Sequence, residues 1–414
     1  MNLAKKLAGE KEWEVVLVDR NNYNFFPPLI YQVASAFIEP SNISYPFRKM
    51  FQGKSGIRFY QASFLGVDTV ARRVKTDQGE LFYDYLVFAH GTQTNYFGLG
   101  GIREKALPLK SIEDALKIRN TILSCLEQAC KTDRLEERRK LLTFVIAGGG
   151  PTGVELSGML SEMNRHIRKK DYPELADDPM RIYLVDAAPV LLGAMSGKSQ
   201  EETRTALEKL GVQVCLSAAV KDYRDEVVYL SDGKAIETKT LVWVSGVTAA
   251  EVSGLPETVF ARGRRIGVDE FNRVRGRTDL FAIGDICYQD TDADYPNGHP
   301  QVAQVAIQQA AWLAKNFRNL QHGGALRPFR YTDKGSMAII SKYKAVAELP
   351  VGFFKGIPAW WMWLLIHILP IAGFRNKMKL LSSWCWNYIS NDPTLRLIIP
   401  SPRKPDDVTG EEVD

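Results

Sequence analysis

Three glycines, Gly148, Gly150 and Gly153, stand between an apolar run at 141–147 and a segment, VELSGMLSEMNRHI, that has helical periodicity. A buried strand, a glycine turn and a helix in that order can hold the diphosphate of a dinucleotide. The first glycine makes the tight turn, the second lets the backbone approach a pyrophosphate, and the third lets helix pack close to strand. The diphosphate then rests on free N–H groups at the positive end of the helix. A glycine triplet alone is an ordinary turn, but here both flanking elements are present. Beyond the helix and a polar insertion at 169–178, an apolar strand at 181–186 ends in Asp186. This completes a βαβ unit, in which a terminal carboxylate accepts both ribose hydroxyls and repels a 2′-phosphate. NADH is therefore expected over NADPH; the plain alternative is a strand-end acid at a turn.

Two further acids end apolar strands. Asp19 closes the strand at 14–19, where it could accept ribose hydroxyls or merely end a turn, and Asp285 closes the strand at 278–285. A Gly-Asp pair is a common turn, yet at the end of a buried strand its carboxylate faces the crevice beyond the carboxyl edge of the sheet. The strand at 79–88 runs into Ala89-His90-Gly91-Thr92, so Gly91 marks a close backbone approach, to a ligand or simply at a turn. Near His299-Pro300 a helix begins that places Gln304 and Gln308 one turn apart, with small Ala303 and Ala306 beside them. The same pattern also describes an ordinary Ala/Gln-rich helix.

Around these positions the chain reads as a helix end at 2–8, an aromatic and proline-rich stretch at 21–63, and hairpin strands at 67–75 and 79–88. The stretch at 21–63 suits a lid over a flat ring, or a hydrophobic loop packed on the core. A helix follows at 111–137 with Ser111 as its N-cap, and further strands at 212–216, 226–230 and 240–245. What should precede the 14–19 strand in a doubly wound sheet is a central strand with its own glycine turn. We expect about twenty native residues of this kind to be lacking at the start.

At 414 residues the chain has room for two or three domains. A net charge of only +5, with Lys and Arg scattered, argues against a nucleic-acid partner. The five cysteines are dispersed and nothing resembles a secretory signal, so reduced thiols in a cytosolic compartment are expected. Cys125 and Cys130 have the spacing of a redox pair but lie in a charged helical region, away from any strand-to-helix turn, and read better as two unpaired helix cysteines. No residue set has the spacing of a metal site. The stretch 357–374 lacks Asp, Glu, Lys and Arg, is rich in Trp and has basic flanks. Its 18 residues, interrupted by prolines, are at the short limit for a membrane span. A monotopic helix pair in the headgroup region fits first, a span second and a soluble dimer interface third. Residues 401–414 are Pro-rich and acidic and read as disordered.

Two nucleotide units imply two nucleotides, economically a nicotinamide donor and a bound flavin. From its first helix to about residue 400 the chain resembles the type II NADH:quinone oxidoreductases, non-proton-pumping members of the two-dinucleotide-binding flavoprotein superfamily. The resemblance rests on VVLVDRNNYNFFPPLIYQVA (15–34), YDYLVFAHGTQTNYFG (83–98), GGGPTGVELSG (148–158), LVWVSGVTA (241–249), LFAIGDICY (280–288), HPQVAQVAIQQ (299–309), DKGSMAIISKYKAVAEL (333–349) and the Trp-rich C-terminal helices. It implies an α/β fold of two Rossmann-like domains, the second inserted in the first, plus a C-terminal amphipathic membrane-binding segment. The expected division is an FAD-binding domain at 1–110 and 270–330, an NADH-binding domain at 111–269, connecting strands at 331–350 and membrane-binding helices at 351–400.

By position, the resemblance implies that Asp19, Gly91 and Asp285 bind FAD, that Gly148, Gly150, Gly153 and Asp186 bind NADH, and that Glu155 lies near the nicotinamide. Gln304 and Gln308 would line a quinone pocket. Two departures stand out: the FAD glycine fingerprint is missing, and Ala89-His90-Gly91 replaces the family's Ala-Thr-Gly. A membrane quinone as acceptor, attachment to the bilayer surface on the cytoplasmic side of the cell inner membrane, and a homodimer are further expectations. The competing classes are another quinone- or disulfide-linked flavoprotein reductase, and a catalytically inactive NAD(H)-binding membrane-associated scaffold.

Overall fold

The computed structural model describes residues 1–390 and 395–399, so the expected disordered tail at 401–414 lies outside them. The chain forms two compact units, one of Met1–Phe25, Ser44–Asn95 and Gly246–Gly335, the other of Phe26–Ile43, Tyr96–Ser245 and Ser336–Asp414.

In the first unit, short parallel strands pair Val15–Asp19 with Ile57–Gln61, Ile266–Gly267 with Cys287–Tyr288, and Leu86–Phe88 with Leu280–Ala282. The last pair is apolar and buried, with the Ala303–Gln321 helix packed through Leu313, Ala314 and Phe317 onto Phe281 and Ile283. An antiparallel sheet of Phe64–Asp68, Arg73–Thr76 and Gly79–Phe82 flanks them. The strand expected at 79–88 is therefore two. It breaks at 83–85 because Leu86–Phe88 leaves the hairpin for parallel pairing with Leu280–Ala282, where Phe88 is fully buried.

The second unit is built on a five-stranded parallel sheet in the order Leu107–Pro108, Thr240–Trp243, Thr143–Ala147, Arg181–Val185 and Val212–Cys215. Thr143–Ala147 lies at its centre with every residue buried, as its largely apolar composition suits. The Ile112–Lys131 helix starts at a capping box formed by Ser111 and Asp114. It stops short of 137 because Thr132 turns extended, accepts the Arg134 N–H on its hydroxyl and takes the Arg138 guanidinium on its carbonyl. A second antiparallel sheet, Ser336–Ser341, Lys344–Leu349 and Gly352–Lys355, leads into two helices, Gly356–Ile368 and Phe374–Ser390. The apolar stretch at 357–374 is thus not one element: Pro370 cannot continue a helix and Gly373 takes φ +81°. Among the described residues no helix is long and apolar enough to cross a membrane.

Candidate functional site

The glycine turn occupies the junction of Thr143–Ala147 and the Pro151–Asp171 helix, with Gly150 as N-cap and Pro151 in the first turn. Two of the three glycines answer a measurable constraint. Gly148 has φ +123°, and a Cβ there would stand 2.5 Å from the Val244 carbonyl oxygen. A Cβ on Gly153 would come within 1.8 Å of the Gly148 carbonyl oxygen, so helix and turn are in backbone contact. Gly150, by contrast, faces open space, which leaves a cradle of helix N-terminal N–H groups accessible to a phosphate. Asp186 follows the neighbouring strand and points back at this turn. Its carboxylate accepts from the Gly149 N–H and, at 2.6 Å, from the Ala188 N–H. The acid and the turn form one hydrogen-bonded group, with the chemistry to hold a diphosphate and a ribose.

Two residues past Gly153, Glu155 is buried on the same helix. Burial raises its carboxyl well above the ordinary range, and the Ile339 N–H only partly offsets this. The short buried helix Ile30–Ala34 packs against this helix, and the hydroxyl of its Tyr31 accepts from the Gln32 amide at 3.0 Å. Neither Tyr31 nor Gln32 is singled out by sequence pattern. The available signal was an amide inside an apolar run, LIYQVASAF, which must find a partner if buried.

In the first unit Asp19 ends its strand and takes the Asn21 N–H at 2.8 Å, and burial raises its carboxyl. Gly91 has φ +69° with open space where a side chain would be. Asp285 sits in a turn clamped from the Ala303–Gln321 side: the Gln309 side chain accepts the Gly284 N–H at 2.7 Å and the Gln301 amide donates to the Asp285 carbonyl at 2.9 Å. Gly284, at φ +75°, needs the small Ala306, whose Cβ is 3.3 Å from its missing one. The open Gly91 and the strand-end carboxylates fit the ribose and backbone contacts of a flavin nucleotide.

Gln304 and Gln308 project one turn apart, as their spacing requires, and both amides hold backbone. Gln304 donates to the Gly335 carbonyl at 2.7 Å and accepts from Lys334 and Tyr331; Gln308 exchanges two bonds with Thr332. They therefore pin the 331–335 segment. Cys125 and Cys130 are both free thiols on the Ile112–Lys131 helix. Cys125 is buried beside Thr240, Cys130 lies near Glu174, and burial pushes both thiols up, away from the thiolate that redox exchange needs.

Parallel-stranded nucleotide-binding pieces and a glycine cradle with its acid define a pyridine-nucleotide oxidoreductase. The chain belongs to the pyridine nucleotide-disulphide oxidoreductase family, which matches it over residues 1–310. Within that family it falls with the type II NADH:quinone oxidoreductases. It is 33% identical over 409 residues to the type II NADH:quinone oxidoreductase Ndh of Mycobacterium tuberculosis, covering 94% of this chain and 86% of that protein. A probable mitochondrial NADH-ubiquinone oxidoreductase of Schizosaccharomyces pombe is 30% identical over 435 residues, covering 90% and 77%. Among solved structures, NDH2 of Plasmodium falciparum in complex with NADH superposes with a TM-score of 0.88 at 22% identity, covering 96% of this chain and 97% of the other. The sulfide:quinone oxidoreductase of Aquifex aeolicus gives 0.68 at 17%, covering 97% and 90%. Both of these likenesses are of fold.

Proposed function

We propose that this protein oxidises NADH and delivers two electrons to a membrane quinone without pumping protons, using FAD as its bound cofactor. The observation that carries this reading is the single hydrogen-bonded group of glycine turn and Asp186, in a chain whose relatives are NADH:quinone oxidoreductases. Gly148, Gly150 and Gly153 hold the NADH diphosphate, and Asp186 takes the ribose hydroxyls. Asp19, Gly91 and Asp285 hold the flavin nucleotide, which when bound supplies the two-electron relay between donor and quinone. Glu155, buried with its carboxyl raised above the ordinary range, stands on the nicotinamide side, where it can exchange a proton as charge changes during turnover. Gln304 and Gln308 line the quinone pocket by holding the 331–335 backbone as its wall.

The protein works at the bilayer surface, on the cytoplasmic face of the cell inner membrane. In the Gly356–Ile368 helix Trp361, Leu365 and Leu369 just beyond it are exposed, and in Phe374–Ser390 so are Phe374, Trp386 and Ile389, alongside exposed Arg375 and Lys379. Apolar side chains with basic neighbours suit the headgroup region. A homodimer covering the same apolar face is the competing arrangement, and sedimentation in the absence of lipid separates the two.

Visible absorbance of the purified protein is the main test. The expected result is a flavin spectrum that NADH bleaches and added quinone restores. Bleaching without restoration by any quinone would favour a different acceptor, and NADH binding without flavin would favour the non-catalytic scaffold.

A further inference from the structure

On the reading that Gln304 and Gln308 line the quinone side, we propose that the buried His299–Asp292 pair is a positioning element for the 331–335 segment, the wall those glutamines hold. Every residue of this arrangement lies within the first unit. His299 stands just ahead of the Ala303–Gln321 helix, and its Nε2 lies 2.9 Å from Asp292 Oδ2, the two side chains being 1% and 3% exposed. The same Oδ2 accepts the backbone N–H of Tyr331, the first residue of the wall, at 3.0 Å. Burial alone would raise the Asp292 carboxyl, but the His299 ring and the Tyr331 and Asp294 N–H groups hold it below the ordinary carboxylate range. An ionised carboxylate only accepts, so His299 donates through Nε2. The His299 carbonyl is held in turn by the Arg265 guanidinium at 3.0 Å, and its ring lies among Tyr295, Phe329 and Tyr331, with centroids 5.3, 5.5 and 5.8 Å away. The pair is thereby fixed at the entry to the helix and presents one acceptor to the wall.

The wall is anchored along its whole length. Asp292 takes the Tyr331 N–H, Gln308 exchanges two bonds with Thr332, and Gln304 takes the Lys334 N–H and donates to the Gly335 carbonyl. Both glutamines are partly accessible, whereas the Asp292 anchor is buried. The Gln304 oxygen accepts from Lys334 at 3.2 Å and from the Tyr331 hydroxyl at 3.4 Å, so the residue that Asp292 holds by its backbone also meets Gln304 with its side chain. Among the described residues each glutamine keeps one amide hydrogen uncommitted, and where that hydrogen points follows from where the wall stands. An apolar pair could fill the space of His299 and Asp292, but the Tyr331 N–H would then be buried without its acceptor. Burying an ionic pair adds little stability over apolar packing, so its use here points to holding a place.

The test uses the full-length FAD-loaded protein on phosphatidylglycerol/phosphatidylethanolamine vesicles, with a short-chain benzoquinone as acceptor and the variants H299L, H299Q and Q304A. The readings are the rate at which NADH bleaches the flavin, the KM and rate of its reoxidation by the quinone, and hydrogen exchange of peptides spanning 331–335. In H299L, exchange there should quicken about tenfold and the quinone KM should rise about threefold to tenfold. The bleaching rate and the KM for NADH should stay at the wild-type level. H299Q, whose amide can place an N–H where Nε2 stands, should bring both changes back toward wild type. An unchanged quinone KM in H299L, whether or not exchange quickens, would overturn the role of the pair, and with Q304A impaired it would spare the reading of the glutamines. An equal fall in bleaching and reoxidation would also overturn it, as the mark of a general structural role. If Q304A itself kept the wild-type quinone KM and rate, both readings would fall. Should H299L not fold, H299N, whose shorter amide falls short of Asp292, decides by the same readings.

Discussion

Glu155 shows how much one buried carboxyl changes. Its pKa is raised, so between the ordinary carboxyl pKa and its own the unfolded chain releases a proton that the folded chain keeps. The folded state then binds more protons, and stability falls as pH rises through that window. Glu155→Gln is therefore expected to gain thermal stability relative to wild type at pH 8 and to lose that gain at pH 4, while turnover falls at least tenfold; thermal melts and steady-state rates at both pH values check this. Asp186→Ser removes a carboxylate that repels a 2′-phosphate. NADH efficiency should drop about tenfold or more and the NADH/NADPH preference should narrow, read as the ratio of kcat/KM values. Gly153→Ala asks for a methyl group 1.8 Å from the Gly148 carbonyl oxygen. Because that neighbour is backbone, the turn itself must open, and NADH affinity should be lost in a binding titration even where the rest of the protein stays folded.

The two C-terminal helices divide their side chains more sharply than hydropathy suggests. Met378, Leu381, Cys385 and Tyr388 recur at helical spacing, yet only Tyr388 is buried; the other three are exposed, and the buried partners are Asn376, Leu380, Trp384 and Asn387. Deleting everything beyond about residue 350 would therefore strip Trp360, Trp363, Leu380 and Trp384 from a core as well as a membrane face. Point changes on the exposed side give the cleaner experiment. Trp361→Ser and Trp386→Ser, whose side chains are 57% and 62% exposed, should each weaken vesicle binding. The expected loss is about tenfold per change, on the order of 1–2 kcal/mol of apolar transfer, with melting temperature nearly unchanged. The fingerprint helix shows the opposite economy. A Cβ on Gly158 would stand 1.6 Å from the Ile340 carbonyl oxygen, so Gly158→Ala should force the helix off the Ser336–Ser341 strand and lower the melting temperature by several degrees.

Across the molecule, what pattern and glycine placement can specify is legible in the sequence. A β-branched, largely apolar run ending in glycines reads as a strand buried on both faces with a close turn, and Thr143–Ala147 is that strand. Spacing put Gln304 and Gln308 on one helix face, because side chains four apart on a helix share a side. Long-range pairing was not legible. That Leu86–Phe88 deserts its hairpin for Leu280–Ala282, or that Gln32 meets Trp384 across 352 positions of sequence, depends on which surfaces meet after collapse. Partners so distant leave no period or motif in the chain. For the same reason the glycine turn, written within six residues, could be read as a nucleotide cradle from its letters. The character of Glu155 could not, since its proton is held by the apolar surroundings that only the folded unit assembles around it.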